Sequence, residues 1–135
     1  MSGWLGVVSA AHVRRAQRLR IAQVNHGRRA GLARMRPGDT LVYYSPVEER
    51  GDTSSLRAFT ALGIIADDEI WQADEGDFKP YRRRVVYAET RRLPLSELHD
   101  RLHLTAQPNW GYQLRRGLIP LDEHDIALIR DNMEQ

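Results

Sequence analysis

The stretch Asn25-His-Gly-Arg-Arg-Ala-Gly-Leu-Ala-Arg-Met-Arg-Pro-Gly-Asp39, continued by Leu41-Val-Tyr-Tyr-Ser-Pro46, decides how the rest of the chain is read. At its centre, Arg36-Pro37-Gly38-Asp39 is a tight turn: proline presets φ at the second position, and glycine accepts positive φ at the third. Thr40 to Ser45 then alternates as a strand does, and Pro46 stops it. Upstream, Ile21 to Asn25 is extended, Ser9 is placed to cap a helix from Ala10 to Arg20, and Trp4 to Val8 reads as a buried strand. A planar amide, an imidazole, a glycine, several guanidinium groups and two tyrosines therefore fall within one strand–turn–strand span. Together they suit the rim of a pocket for a flat, polar ligand with negative charge nearby.

Working outward, Glu48 to Ser55 is a polar loop, and Leu56 to Ala66 is a long β-type run in which Gly63 marks a bulge or bend. Ile70-Trp71-Gln72 extends that run beyond an acidic turn, and Asp74 to Pro80 is a second loop. Tyr81 to Ala88 is the next strand, with Arg83, Val85 and Tyr87 on one face and Arg82, Arg84 and Val86 on the other. From Pro94 the spacing of Leu95, Leu98 and Leu102 predicts a helix capped by Ser96. Asp122 with Asp125 resembles a capping box ahead of Ile126, Ile129 and Met133. Strands with a few interspersed helices and no regular βαβ alternation predict an α+β fold: a bent sheet or barrel, forming one domain over residues 1–135.

Composition narrows the function classes. The chain has no cysteine, which removes disulfides, zinc–thiolate sites and thiol nucleophiles. Its N-terminus lacks the basic region of a signal peptide, and no segment approaches the roughly 20 apolar residues of a membrane span. The expected location is cytoplasmic. Net charge is only +2, yet nineteen arginines stand against one lysine, Lys79. A GC-rich coding bias accounts for the ratio; it does not account for the placement. Arg14, Arg15, Arg18, Arg20, Arg28, Arg29, Arg34 and Arg36 crowd the first third, while Asp67-Asp68-Glu69 and Asp74, Glu75 and Asp77 cluster mid-chain. Such asymmetry gives a positive face to a nearly neutral protein.

Most catalytic and metal motifs are missing. There is no HExxH pair, no calcium loop, no GxSxG elbow, no phosphate-binding glycine loop and no dinucleotide fingerprint. His12, His26 and His124 have no ligand partner at helical spacing. His99 and His103 stand four apart but flank a leucine face, so they read as a solvated edge. No metal, cofactor or catalytic residue is expected.

Several blocks carry a resemblance. Trp4-Leu-Gly-Val-Val-Ser9, Asn25-His-Gly-Arg-Arg-Ala30, Met35-Arg-Pro-Gly-Asp39 and Tyr43-Tyr-Ser-Pro46 are similar to bacterial EVE-domain proteins. So are Phe59-Thr-Ala-Leu-Gly-Ile-Ile65, Tyr81-Arg-Arg-Arg-Val85, Asn109-Trp-Gly-Tyr-Gln-Leu-Arg-Arg-Gly117 and the closing helix through Met133. The resemblance implies a PUA-like fold, a small bent β-barrel flanked by short helices, related to PUA, ASCH and YTH domains. It also implies binding of RNA or DNA, with a modified base as a candidate ligand.

On that footing the expected pocket is Trp4, Ser9, Asn25, His26, Gly27, Tyr43, Tyr44, Ser45, Pro46 and Trp110, with Val8, Ile21 or Pro46 lining a niche for a methyl group. A base read this way must be single-stranded or flipped, stacked on an aromatic ring and matched at its edge by Asn25. Because Tyr43 and Tyr44 alternate on a strand, one of them is expected to face the pocket. Arg28, Arg29, Arg82, Arg83 and Arg84 would hold phosphates. Two alternatives remain open. One is a small hydrolase of a modified nucleoside using His26 with an acidic partner such as Asp39; the other is a protein that binds a peptide or metabolite.

Overall fold

The structure, a computed structural model, describes residues 2–134. Strand β3 (Thr40–Ser45) runs through the middle of the molecule with every residue buried. Beside it, in parallel, lies β1 (Gly3–Val7), with Trp4 opposite Leu41 and Leu5 opposite Val42. Around this pair a mixed sheet is built in the order β2-β5-β4-β3-β1-β7, with β6 on the end of β4. The remaining strands are β2 (Ile21–Ala22), β4 (Ala58–Gln72), β5 (Tyr81–Tyr87), β6 (Leu93–Pro94) and β7 (Leu118–Leu121). The outermost strands of the path, β2 and β7, do not pair, so the sheet is bent but not closed into a barrel.

Both faces of the sheet are covered. Leu41 and Tyr43 point into a cluster with Trp4, Val13, Ala22, Val24, Leu32 and Val85, under helices α1 (Ala10–Leu19) and α2 (Arg29–Arg34). Val42 and Tyr44 point the other way, into Leu5, Phe59, Leu93, Leu98, Ile129 and Met133, under the C-terminal helix α5 (Glu123–Met133). Full burial of such side chains is worth about 1.5–3 kcal/mol each, so the two clusters are the main favourable term of the fold. No helix of the described residues is long and apolar enough to cross a membrane.

Local signals hold in detail at several ends. The Ser9 side chain accepts from the His12 amide at 3.3 Å and starts α1. Asp122 does the same for α5, accepting from the Asp125 amide at 2.9 Å. Asp125, however, does not close a capping box. Its carboxylate accepts instead from the amides of His103 and Leu104, at 2.8 and 2.9 Å, and so caps the short helix α3 (His103–Ala106).

Two further expectations fail. Leu95, Leu98 and Leu102 are buried as their spacing demands, yet the segment is a 3-10 turn over Leu95–Glu97 followed by turns, and Ser96 is exposed and caps nothing. The irregularity in the long strand is not at Gly63, which pairs regularly with Leu41 and Tyr87; it falls between Tyr43/Tyr44 on β3 and again between Ile65 and Ile70.

Candidate functional site

A large cleft, about 860 Å³, opens where β1 ends. Val7, Val8 and Ser9 form its floor; Asn25, His26 and Arg28 form one wall. Arg115, Arg116 and Gly117, which follow the short helix α4 (Trp110–Gln113), form another. Phe78 reaches in from the loop before β5, and Val47, Arg50 and Gly51 come from the loop after β3. The size suits a small-molecule or single-nucleotide ligand, for which pockets span about 300–1,000 Å³.

Backbone conformation sets the wall. Asn25, His26 and Gly27 take successive left-handed conformations, with φ of 50°, 59° and 83°. Left-handed backbone is costly for residues with a Cβ, and asparagine and glycine bear it best. Gly27 is held against the β5 entry: a Cβ there would meet Pro80 Cβ at 2.7 Å. This turn swings the Asn25 carboxamide into a hollow between Gly31 and Gly117. A Cβ on Gly117, whose φ is 76°, would fall 2.4 Å from Asn25 Oδ1. That oxygen is buried and has no hydrogen-bond partner among the described residues. A buried orphan acceptor costs about 1–3 kcal/mol, so this corner carries a polar atom that the described residues leave unsatisfied.

The electrostatics are one-sided. Five arginines (15, 28, 50, 115 and 116) and two histidines (12 and 26) line the cleft, and no carboxylate does among the described residues. Two nearby acids are already taken. Glu48 is held down to about 2 by Arg92 and Arg14, and Glu75 lies below the usual carboxylate range through Arg82 and Arg15. Arg28, Arg50, Arg115 and Arg116 have no salt-bridge partner among the described residues. His12 is different: its ring contacts the Gln23 carbonyl at 3.1 Å, and burial together with Arg15 and Arg82 lowers its pKa, which favours the neutral form.

The expected site residues divide sharply. Ser9, Asn25, His26 and Arg28 line the cleft, and Gly27 builds its wall. The aromatic residues do not reach it. Trp4 is core, its indole donating to Asp39 at 3.0 Å. Tyr43 and Tyr44 are both buried, on opposite sides of a sheet with two covered faces, and burial pushes the Tyr43 phenol up to about 12. Ser45 is buried and bonds Thr60 at 2.8 Å; Pro46 offers its carbonyl to Leu56 and Arg57 as the base of a turn. Trp110 packs against His99 and the α5-side cluster, outside the cleft. Ile21 is core, whereas Val8 does line the cleft.

The expected phosphate ligands of β5 are also occupied elsewhere. Arg83 is 2% exposed, with its guanidinium spent on the carbonyls of Leu32, Met35 and Asp67 at 2.6–2.9 Å. It caps the C-terminal end of α2 and fills the irregular step of β4. Arg84 pairs with Asp67 and Glu69, and Arg82 with Glu75 and Gln23. Arg29 is exposed at the start of α2 and is not a lining residue. The acid–base pair His26–Asp39 does not form. The Asp39 carboxylate accepts instead from Trp4 and from the Ser2 and Arg36 amides. Burial pushes its pKa up, and these bonds outweigh that and hold it low.

Sequence reasoning missed His12, Arg15, Gln23, Arg50, Phe78, Arg115 and Arg116. Phe78 left a trace: an aromatic residue in the otherwise acidic and polar loop 74–80, where nothing local could bury it. At 43% exposure it is the one phenyl or indole ring on the cleft wall among the described residues. Arg50 left none.

Fold and cleft together define an α+β protein of the PUA-like type: an open, bent mixed sheet with short helices on both faces and a basic cleft at one end. The chain belongs to the EVE domain family, whose model matches residues 2–132. It is 54% identical over 127 residues to a UPF0310 protein of Renibacterium salmoninarum, covering 94% of this chain and 91% of that one. Among solved structures, a protein from Leishmania major superposes with a TM-score of 0.60 at 15% identity, covering 98% and 94% of the two chains. Human THYN1, solved in complex with DNA containing 5-methylcytosine, has a TM-score of 0.51 at 16% identity, covering 97% and 96%. At such identities the structural likeness speaks for the fold.

Proposed function

We propose that this protein binds nucleic acid, RNA or DNA, by holding one single-stranded or flipped-out base, a modified one included, in the cleft at the end of β1. The observation that carries the reading is the lining of five arginines and, among the described residues, no carboxylate in a cleft of nucleotide size. The DNA complex of THYN1, a protein that shares the fold, supports it. Phe78 supplies the π face, on which stacking contributes about 1–3 kcal/mol per base. Asn25 stands on the wall beside the base, its carboxamide carrying a donor and an acceptor on one plane to be turned toward the base edge. Arg28, Arg50, Arg115 and Arg116 take the flanking phosphates. The reading is of binding without chemistry. Cytoplasmic nucleic acid is the expected partner.

Fluorescence anisotropy with short single-stranded DNA and RNA, with and without a methylated base, tests it directly. Binding should be measurable at low salt and fall linearly with the logarithm of salt concentration, by about 0.7–0.9 log units per phosphate neutralised. Absence of binding at low salt would overturn the reading. So would affinity that survives the double substitution Arg115→Ala, Arg116→Ala unchanged.

A further inference from the structure

A second group of chemically potent side chains lies away from the cleft, where α5 begins. His103, Asp122, His124 and Asp125 each offer a donor atom, and these atoms lie within 4.8 Å of one another. The two imidazole rings are stacked nearly parallel, 3.8 Å apart at 8°. His103 Nδ1 stands 2.7 Å from Asp122 Oδ2, and His124 Nδ1 stands 2.9 Å from Asp125 Oδ1. None of the four lines the cleft. Sequence spacing hides the arrangement, because His103 meets its partners 19 to 22 residues later and not at His99, whose ring turns to Trp110.

We propose that these four residues form a binding site for a divalent transition metal, zinc above all, ligated by His103, His124, Asp122 and Asp125. The donor set is that of a tetrahedral site with two nitrogens and two oxygens, which selects zinc and its neighbours over the all-oxygen cations calcium and magnesium. The hydrogen bonding of each carboxylate fits. Asp122 Oδ1 holds the Asp125 amide at the start of α5, while Asp122 Oδ2 faces His103. Asp125 is held at both oxygens, Oδ2 by the Leu104 amide and Oδ1 by the His103 amide, and Oδ1 faces His124 with its second lone pair. Backbone amides thereby fix both carboxylates and orient Asp122 Oδ2 and Asp125 Oδ1 toward the imidazoles, as outer hydrogen bonds orient ligands in metal sites.

Neighbouring donors on a tetrahedral zinc are roughly 3.4 Å apart for bonds of about 2.0–2.1 Å, and the imidazole–carboxylate pairs stand at 2.7 and 2.9 Å. The rings lie parallel at 3.8 Å, with their in-plane lone pairs side by side, so both imidazoles must turn out of the stack to converge on one ion. His103 and His124 are about half exposed, so both rings are free to make that adjustment and the site is open to solvent. The positive end of the α5 dipole works against a cation here, and two carboxylates at the same end reverse the sign. A bound metal would tie the α3 segment to the C-terminal helix, joining two stretches that are otherwise linked by Asp125 alone among the hydrogen-bonded carboxylates that hold backbone there.

Calorimetric titration of zinc chloride into the chelator-treated full chain tests the site. One equivalent should bind the wild type, and His103→Gln or His124→Gln should each weaken binding by at least about 10-fold. The double variant should lose it, while His99→Gln retains it. Cobalt(II) as a second probe should give tetrahedral d–d absorption, with paramagnetic shifts centred on the imidazoles of His103 and His124 in the unsubstituted protein. That measurement decides the matter even where a variant folds poorly. The proposal is overturned if the wild type shows no saturable zinc binding, if the double variant binds equally well, or if the shifts centre on His12 or His26.

Discussion

Four arginines of the cleft and the three arginines of β5 differ in what stands next to them. Arg82, Arg83 and Arg84 form the densest basic run of the chain, yet each has its partners supplied within the protein, by Glu75, by backbone carbonyls, and by Asp67 with Glu69. Arg28, Arg50, Arg115 and Arg116 are scattered through the chain and converge on one cavity without a carboxylate among the described residues. A guanidinium with its partners supplied holds the fold; a guanidinium without them is available to an anion. Density along the sequence is therefore a poor guide to an anion site, and convergence in space is a good one.

Substitutions that should separate these two groups can be ordered by size. Arg83→Leu ought to be the most damaging, since it strands the buried carbonyls of Leu32, Met35 and Asp67; a loss of about 3–5 kcal/mol is expected in urea denaturation. Were Arg83→Leu neutral, the distinction between fold-holding and ligand-holding arginines would break. Arg115→Ala combined with Arg116→Ala should leave the denaturation midpoint in place and lower the slope of log affinity against log salt by about 2, one per lost phosphate contact. Phe78→Ala should weaken binding by about 1–3 kcal/mol with no change in that slope, because stacking carries no counterion release. A changed slope would assign Phe78 a different job.

The pH dependence tests the cleft from within. His12 has a folded-state pKa below the usual imidazole value of 6.5, because burial and the charges of Arg15 and Arg82 disfavour the imidazolium. The unfolded chain therefore takes up the proton first. Stability should be fully present above about pH 6.5 and be lost as pH falls through the depressed folded value. His12→Gln should flatten that acid limb, which denaturation midpoints across the range would show. The smallest effect belongs to Arg84→Ala. It removes an exposed ion pair with Asp67 and Glu69 and should leave both the midpoint and oligonucleotide affinity unchanged, since such pairs contribute little in water. Loss of affinity on Arg84→Ala would reinstate β5 as an anion surface.

Much of the fold was legible because its signals are local. Proline and glycine at 37 and 38 specify the turn into β3, Ser9 and Asp122 cap the helices they precede, and Ile126, Ile129 and Met133 mark the buried side of α5. The site was legible only where backbone geometry is itself local, in Asn25, His26 and Gly27. The aromatic residues misled because alternation along β3 reads as one face in and one face out. Helices cover this sheet on both sides, so Tyr43 and Tyr44 are both core. The leucines of 95–102 show the same limit from the other side: their spacing reports which side chains are buried, and a 3-10 turn followed by tight turns meets that demand as well as a helix.

By itself the sequence determined the class of fold, the family, the caps and turns, and the left-handed corner that carries Asn25. Each of these rests on interactions within a few residues of chain or on the chain-long order of blocks. Tertiary structure alone decided which arginines are free, that Phe78 rather than a tryptophan or tyrosine stands at the cleft, and that His103 meets Asp122, His124 and Asp125. The physical reason is common to all three. Whether such a side chain is spent or available is decided by partners that can come from 16 to 60 residues away, as the contacts of Arg83 with Asp67 and of Arg15 with Glu75 do.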